Sequence, residues 1–167
     1  MDDLQAVREA VTLPVLKKDF HVDPVQLLEA KALGASAALL IARALAPDEL
    51  RAMMRTAVEL ELEALVEVRD EAELDLALSL DALLVGVNNR NLETLEIDPS
   101  TSERLLPLIP SSVIAIAESG IAGRQDVERA GQVGADAVLV GSSISASDDP
   151  REAVRALTNV DKVHRAR

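Results

Sequence analysis

The chain has 167 residues, of which 49% are apolar, and a formal net charge of −12, and this length predicts a single domain over residues 1–167 with a substantial core. It has no Cys and only two His, which excludes a disulfide scaffold and argues against a zinc site. The negative charge argues against nucleic acid or an anionic membrane as a partner. The sequence shows neither a signal-like N-terminus nor an apolar run of about 20 residues, so we expect a cytoplasmic protein.

Short apolar segments alternate with helical patterns along the chain. The predicted strands cover residues 11–18, 36–42, 62–68, 82–87, 113–117 and 137–140. The predicted helices cover residues 2–10, 23–33, 46–60, 70–80, 99–109, a segment between 118 and 137, and 149–158, followed by a frayed tail from about residue 159. Two helices begin with Asp-Pro, an N-cap followed by Pro at the first helical position. Such alternation predicts a parallel sheet, either doubly wound or of the barrel type.

The placement of polar residues and glycine distinguishes these two folds. The G-x-G-x-x-G turn of a dinucleotide-binding fold does not follow the first strand. Instead, almost every strand ends in a residue suited to a functional site: Lys18, Glu67, Asn88, Glu118 and Gly141. This distribution favours a (β/α)₈ barrel, whose site draws on many strands. A complete barrel needs eight strands and about 250 residues, so we predict an incomplete α/β barrel of six parallel strands.

Two neighbouring Gly/Ser loops follow the last two predicted strands. Residues 118–120 read Glu-Ser-Gly, and residues 141–143 read Gly-Ser-Ser. Loops with free amide donors at the ends of parallel strands can bind phosphate, and barrels place their phosphate site after strands seven and eight. Each loop alone is explained equally well as a turn, with Glu118 as a solvated strand end. The pair favours a phosphate site with Glu118 at its mouth.

Charged side chains within or beside apolar strands are the second signal. Lys17 and Lys18 end the first strand, and alternation sends one of them inward. Burial would lower the pKa of an inward Lys and make it a proton donor near neutral pH; the alternative is a surface lysine pair. Glu67 lies in an apolar strand, where a carboxylate is costly unless it is paired or functional. Arg90 follows the fourth strand in an Asn-rich loop, which suits either a carboxylate-binding site or a simple turn.

Six motifs, taken in order, carry a family resemblance: VLKKDF, LLIARAL, LVEVRD, GVNNRNLETLEID, AESGI and GADAVLVGSS. Together they resemble the C-terminal two-thirds of indole-3-glycerol phosphate synthase, a TIM-barrel family of tryptophan biosynthesis. The resemblance covers the chain apart from its C-terminal tail. It implies a carbon–carbon lyase that converts 1-(2-carboxyphenylamino)-1-deoxyribulose 5-phosphate to indole-3-glycerol phosphate by ring closure, decarboxylation and dehydration. The family uses no cofactor or metal.

The resemblance also implies roles for individual residues. Lys18 matches the general acid at the substrate carbonyl, and Glu67 matches the carboxylate that transfers a proton during dehydration. Asn88, Arg90 and Glu118 match polar residues of the substrate site. Of these, Asn88 and Arg90 match residues near the ring and its carboxylate. The phosphate-binding loops are matched by Ser119, Gly120, Gly141 and Ser142. The apolar walls of the anthranilate pocket are matched by Phe20 and Leu39.

One departure from the family is large. The family's first strand carries a Glu, a Lys and a Ser-Pro pair that serve binding and chemistry, and neither that strand nor the next is found here. The chain therefore resembles strands three to eight. We expect it alone to have impaired activity, and to self-associate or accept a complementing fragment through open sheet edges. The alternatives are a non-catalytic phosphate-binding remnant or one half of a split enzyme; phosphoribosylanthranilate isomerase accounts less well for KKDF and GVNNRNL together.

Overall fold

The structure of the protein, a computed structural model, describes residues 2–161 and contains one sheet of six parallel strands. The strands are β1 (Leu16–Lys17), β2 (Ala37–Ile41), β3 (Glu63–Val68), β4 (Leu84–Asn88), β5 (Ile114–Glu118) and β6 (Ala137–Leu139). Each strand pairs in parallel with the next one along the chain. A doubly wound sheet reverses its strand order at a switch point, so this uninterrupted order confirms the barrel type. The sheet is open, with β1 and β6 as its edges.

Helices alternate with the strands as predicted, and one short helix, over Ser142–Ser145, lies where a loop was predicted. They are α1 (Asp2–Ala10), α2 (Pro24–Ala32), α3 (Pro47–Glu59), α4 (Glu71–Ser79), α5 (Ser100–Leu105), α6 (Arg124–Gln132), α7 (Ser142–Ser145) and α8 (Pro150–Leu157), with 3₁₀ turns at Ala42–Ala44 and Leu106–Leu108. Asp23 and Asp149 cap α2 and α8 as expected, each accepting a hydrogen bond from a backbone N–H of the first turn, at 2.9 and 3.0 Å. Among the described residues, none of these helices is long and apolar enough to cross a membrane.

Two predicted elements differ from the observed ones by more than two residues at one end, and a proline lies at each of these ends. The first strand is limited to Leu16–Lys17 because Pro14 has no N–H for a ladder, and Leu13 before it is 71% exposed. The helix predicted over residues 99–109 ends at Leu105 and continues as a 3₁₀ turn, since Pro107 cannot donate an α-helical hydrogen bond. Residues 159–161 of the expected frayed tail have no regular structure, and the rest of that tail lies outside the described residues.

The sheet is buried on both faces. Side chains on its outer face, such as Leu40, Val66 and Val85, are fully buried against the helices. Side chains on the inner face form a separate apolar cluster of Leu39, Ile41 and Leu65, against which Leu16, Leu84 and Ile116 pack. Near-continuous apolar strands of this kind are typical of parallel sheets. The inner cluster forms an apolar floor beneath the carboxyl ends of the strands.

Candidate active site

The carboxyl ends of β1, β3 and β5 bring one lysine and two glutamates together. Lys18 Nζ lies 3.1 Å from Glu67 Oε2 and 3.0 Å from Glu118 Oε2. The side chains of Glu67 and Glu118 are 4% and 1% exposed, whereas that of Lys18 is 42% exposed. The two carboxyl groups therefore lie at the base of the site, and the ammonium group is the one that a substrate can reach.

Strand alternation explains why Lys18 enters the site and Lys17 does not. Leu16 packs against the inner apolar cluster, so Lys18, two residues later, lies on the same face. Lys17 lies on the opposite face, with its Nζ 3.8 Å from Asp19 Oδ2. The contacts of Lys18 with two buried carboxyl groups exclude the alternative of a surface lysine pair.

The two glutamates follow the same rule. Glu67 comes two residues after Leu65, and Glu118 two residues after Ile116, and both apolar residues belong to the inner cluster. Each carboxyl group therefore stands directly above the apolar floor. The alternative that Glu118 is a solvated strand end is wrong, because this side chain is almost completely buried.

Asn88 fixes the orientation of the Glu67 carboxyl group. Its Nδ2 donates to Glu67 Oε1 at 2.9 Å, which leaves Glu67 Oε2 for Lys18. Its Oδ1 accepts from the backbone N–H of Arg90, also at 2.9 Å. The Arg90 side chain donates to the Leu95 carbonyl oxygen at 3.0 Å, which holds the guanidinium over the loop after β4.

The charges of the cluster shift two pKa values. Burial disfavours the ammonium form of Lys18, but the charges and hydrogen bonds of Glu118 and Glu67 outweigh it, so the pKa of Lys18 is raised. The lowered pKa predicted from burial alone is therefore wrong. Burial and the negative charge of Glu67 raise the pKa of Glu118 to about 7, against the opposing effect of Lys18. Near neutral pH, Lys18 is therefore charged, and Glu118 is close to the midpoint of its titration.

A cavity of about 350 Å³ opens beside this cluster. Seven of the predicted site residues line it: Lys18, Arg90, Glu118, Ser119, Gly120, Gly141 and Ser142.

Gly120 has a left-handed φ of 77°, and a Cβ there would lie 2.9 Å from Ile97 Cγ2, so both conformation and space require glycine. A Cβ on Gly141 would meet nothing within 4 Å, so this residue faces open space. Ser143 joins the two loops by donating from Oγ to the Ile121 carbonyl oxygen at 3.0 Å.

Asn89 has a role that the sequence pattern did not indicate. It is buried, its Nδ2 donates to the Ser119 carbonyl oxygen at 3.1 Å, and its Oδ1 accepts from the Ser102 N–H at 3.0 Å. Its own N–H donates to the Glu118 carbonyl oxygen at 2.9 Å. Asn89 therefore connects the first Gly/Ser loop to α5. Strand alternation depends on neighbouring residues and therefore indicated that Asn88 lies inward. The role of Asn89 depends on partners that are 13 and 30 residues away in the sequence, which alternation does not reveal.

Four predicted site residues do not line this cavity: Glu67 and Asn88 belong to the charged cluster beside it, and the other two lie apart from it. Phe20 is 61% exposed and does not line it, and Leu39 belongs to the apolar floor. Within residues 2–161, no group of three His, Asp or Glu side chains is placed to hold a metal ion. A larger cleft of about 630 Å³ lies between α3 and α4, where it includes the first residues of β3. It lies at the amino ends of β3 and β4, whereas barrel sites lie at the carboxyl ends of the strands.

Comparisons with known proteins agree with this geometry. The family profile described as Indole-3-glycerol phosphate synthase matches residues 1–157. A protein of that name from Kineococcus radiotolerans is 51% identical over 94% of this chain and 57% of its own length. One from a Nocardioides species is 52% identical over 95% and 61%. The chain thus spans about three-fifths of these relatives. The structure of 3-hexulose-6-phosphate synthase from Salmonella typhimurium has a TM-score of 0.80 at 19% identity, covering 93% of this chain and 77% of that one, and shows the shared fold.

Proposed function

The chain belongs to the indole-3-glycerol phosphate synthase family, and from this premise we propose that its barrel converts 1-(2-carboxyphenylamino)-1-deoxyribulose 5-phosphate to indole-3-glycerol phosphate in tryptophan biosynthesis. The observation that carries the proposal is the position of Lys18. Its ammonium group is held by two buried carboxyl groups and lies at the wall of an open cavity. The two Gly/Ser loops line the same cavity.

Lys18 is the general acid in this proposal. Ring closure forms a bond between the ring carbon that bears the carboxylate and the substrate carbonyl carbon, and the carbonyl oxygen takes a proton from Lys18 as the C=O double bond opens. The carboxylate then leaves that ring carbon as CO₂, and the electron pair of the broken bond restores the aromatic ring. The raised pKa of Lys18 keeps it protonated before ring closure, and the adjacent Glu118 exchanges protons near neutral pH. Glu67 transfers the proton of the later dehydration. Its Oε1 is held by Asn88, so Oε2 is the oxygen that faces Lys18.

The two charged groups of the substrate are assigned to different residues of the cavity. The phosphate lies against Ser119, Gly120, Gly141 and Ser142, whose backbone N–H groups supply donors without a net charge. Arg90, which also lines the cavity, binds the carboxylate of the ring. Phe20 and Leu39 are assigned to the apolar side of the ring pocket. An anionic substrate can thus bind a chain whose net charge is −12. That same charge supports the proposal that neither nucleic acid nor an anionic membrane is a partner.

The open sheet supports a second part of the proposal. Both β1 and β6 pair on one side only, so each presents backbone groups to a further strand. The 167-residue chain alone is therefore a weak synthase, and its edges accept either another copy of the chain or a fragment that carries the family's first two βα units. The same edges favour the alternative of one half of a split enzyme.

The test compares the chain with and without such a fragment. Indole-3-glycerol phosphate binding is measured by calorimetry, and product formation is followed by its fluorescence. We expect binding by the chain, and turnover only after the fragment is added. Binding without any turnover in the completed barrel would favour the phosphate-binding remnant. Loss of both would reject the proposed function.

A further inference from the structure

Gly86 lies on β4, on the face that is directed toward the inside of the barrel, beside the site residue Glu67. Its Cα pairs with that of Glu67 on one side and that of Ile116 on the other. A Cβ built on Gly86 would overlap Glu118 Oε1, and it would lie 3.0 Å from Glu118 Cδ and 3.3 Å from Leu65 Cδ1. The carboxyl group of Glu118 therefore occupies the space that any other residue at position 86 would fill.

The backbone gives no other reason for glycine at this position. Gly86 is not among the glycines with a positive φ, so an L-residue could adopt its conformation. Glycine in the interior of a strand is unfavourable, since it has no side chain to pack and loses more freedom on folding. Its neighbours Val85 and Val87 are both completely buried, as is usual for a central parallel strand. The close approach of Glu118 explains the exception.

We propose that Gly86 is a positioning residue for Glu118: its missing side chain forms the recess that holds Oε1, and this places Oε2 on Lys18. The recess rests on the geometry of the chain, and only its effect on turnover rests on the proposed function. Three observations agree with it. Oε1 is buried with no hydrogen-bond partner in the described structure, Oε2 lies 3.0 Å from Lys18 Nζ, and Asn88 beside Glu118 holds the other carboxyl group.

The recess has a chemical consequence. A carboxyl oxygen that is dry and without a donor destabilises the ionised form, and the nearby charge of Glu67 adds to this effect. Both effects raise the pKa of Glu118 to about 7. A methyl group in the recess would displace the carboxyl group toward the open cavity, where water can solvate it. Gly86→Ala should therefore return Glu118 to the behaviour of a hydrated carboxyl group.

The experiment follows the ionisation of Glu118 in the 167-residue chain by infrared spectroscopy with ¹³C-labelled Glu, and Glu118→Gln identifies its band. In Gly86→Ala we expect the pKa of Glu118 to fall below about 6. The matched control is Gly131→Ala in α6, where a Cβ would meet only the Asp161 carbonyl oxygen at 3.7 Å. This control should leave the titration of Glu118 unchanged.

A second variant covers the case in which Gly86→Ala folds poorly. Glu118→Asp shortens the side chain by one methylene, so that its carboxyl group no longer fills the recess. Gly86→Ala should lower the melting temperature by about 3–10 °C in the wild-type chain and by much less in the Glu118→Asp background. An unchanged pKa of Glu118 in a folded Gly86→Ala chain, or an equal loss of stability in both backgrounds, would overturn the proposal.

Neither readout depends on catalysis, so the inference and the proposed function can fail separately. In a barrel completed with the family's first two βα units, Gly86→Ala should lower kcat more than it changes KM and should shift the pH profile of kcat. If the completed wild-type barrel has no synthase activity while Gly86→Ala still moves the pKa of Glu118, the proposed function fails and the positioning role stands.

Discussion

Lys18 Nζ and Glu118 Oε2 are 3.0 Å apart, although Lys18 follows the first strand of the sheet and Glu118 ends the fifth. Neighbouring strands lie about 4.8 Å apart, so four steps across a flat sheet would separate these strands by about 19 Å, more than the two side chains can bridge. The contact therefore requires a strongly curled sheet with its inner face concave. Curvature of the barrel type brings together charges that lie 100 residues apart in the sequence.

The first prediction concerns the ammonium group in this contact. In a barrel completed with the family's first two βα units, Lys18→Ala should lower kcat by about 10²–10⁴-fold, the range for a positioned general acid, with a much smaller change in KM. Steady-state kinetics measure both. Lys17→Ala is the matched control, since Lys17 lies on the opposite face beside Asp19. Near-normal turnover in the Lys18 variant, or an equal loss in the control, would contradict the assignment.

The second prediction concerns the phosphate loops. Gly141 faces open space, so Gly141→Val should fold normally while its side chain enters the cavity and keeps a phosphate away from the loop amides. We expect indole-3-glycerol phosphate to bind at least about tenfold more weakly, as measured by calorimetry. Gly123→Val is the control: Gly123 also faces open space but does not line the cavity. Unchanged affinity in a folded Gly141→Val chain would show that the phosphate lies elsewhere.

The third prediction is a pH dependence of stability caused by Glu118. Its pKa is raised by burial and by Glu67 from 4.5 to about 7 in the folded chain, so the stability it contributes is present below pH 4.5 and is lost as the pH rises through 7. At about 1.4 kcal/mol per pH unit, the loss has an upper value of about 3 kcal/mol. Glu118→Gln removes this titration.

Urea unfolding at several pH values tests this prediction. As the pH rises from 5 to 8.5, the free energy of unfolding of the wild type should fall relative to that of Glu118→Gln. Lys18 stays charged over this range because its pKa is raised, so the contact it loses in the variant adds a constant offset. A difference that does not vary with pH would mean that Glu118 is already ionised at pH 5.

Much of this site follows from sequence, because alternation depends only on neighbouring residues. Alternation predicts that one of Lys17 and Lys18 lies inward and that a carboxylate within the apolar third strand is paired or functional. That the inward lysine is Lys18 follows from the structure, in which Leu16 packs on the inner apolar cluster. The direction of the Lys18 pKa could not be predicted in the same way. It depends on two carboxyl groups that approach from 49 and 100 residues away, and only the curled sheet sets those distances. The role of Asn89 was missed for the same reason.

The fourth prediction tests that role. Asn89→Ala leaves the Ser119 carbonyl oxygen and the Ser102 N–H without their side-chain partner, and should lower the free energy of unfolding by about 1–3 kcal/mol. Since Ser119 belongs to a loop proposed to bind phosphate, affinity for indole-3-glycerol phosphate should fall as well. Urea unfolding and calorimetry measure the two effects. Asn91→Ala is the control, because the Asn91 side chain accepts hydrogen bonds only within its own exposed turn, from Glu93 and Thr94.

The last prediction concerns the two sheet edges of the isolated 167-residue chain. An edge strand with free N–H and C=O groups pairs readily with another chain, so we expect self-association that grows with concentration. Sedimentation velocity measures it. Ala137→Lys, at an exposed position of β6, should reduce it, and Val58→Lys, at an exposed position of α3 away from both edges, should not. A fragment with the family's first two βα units should compete with self-association and restore turnover. A chain that stays monomeric at all concentrations and turns over substrate without the fragment would contradict both expectations.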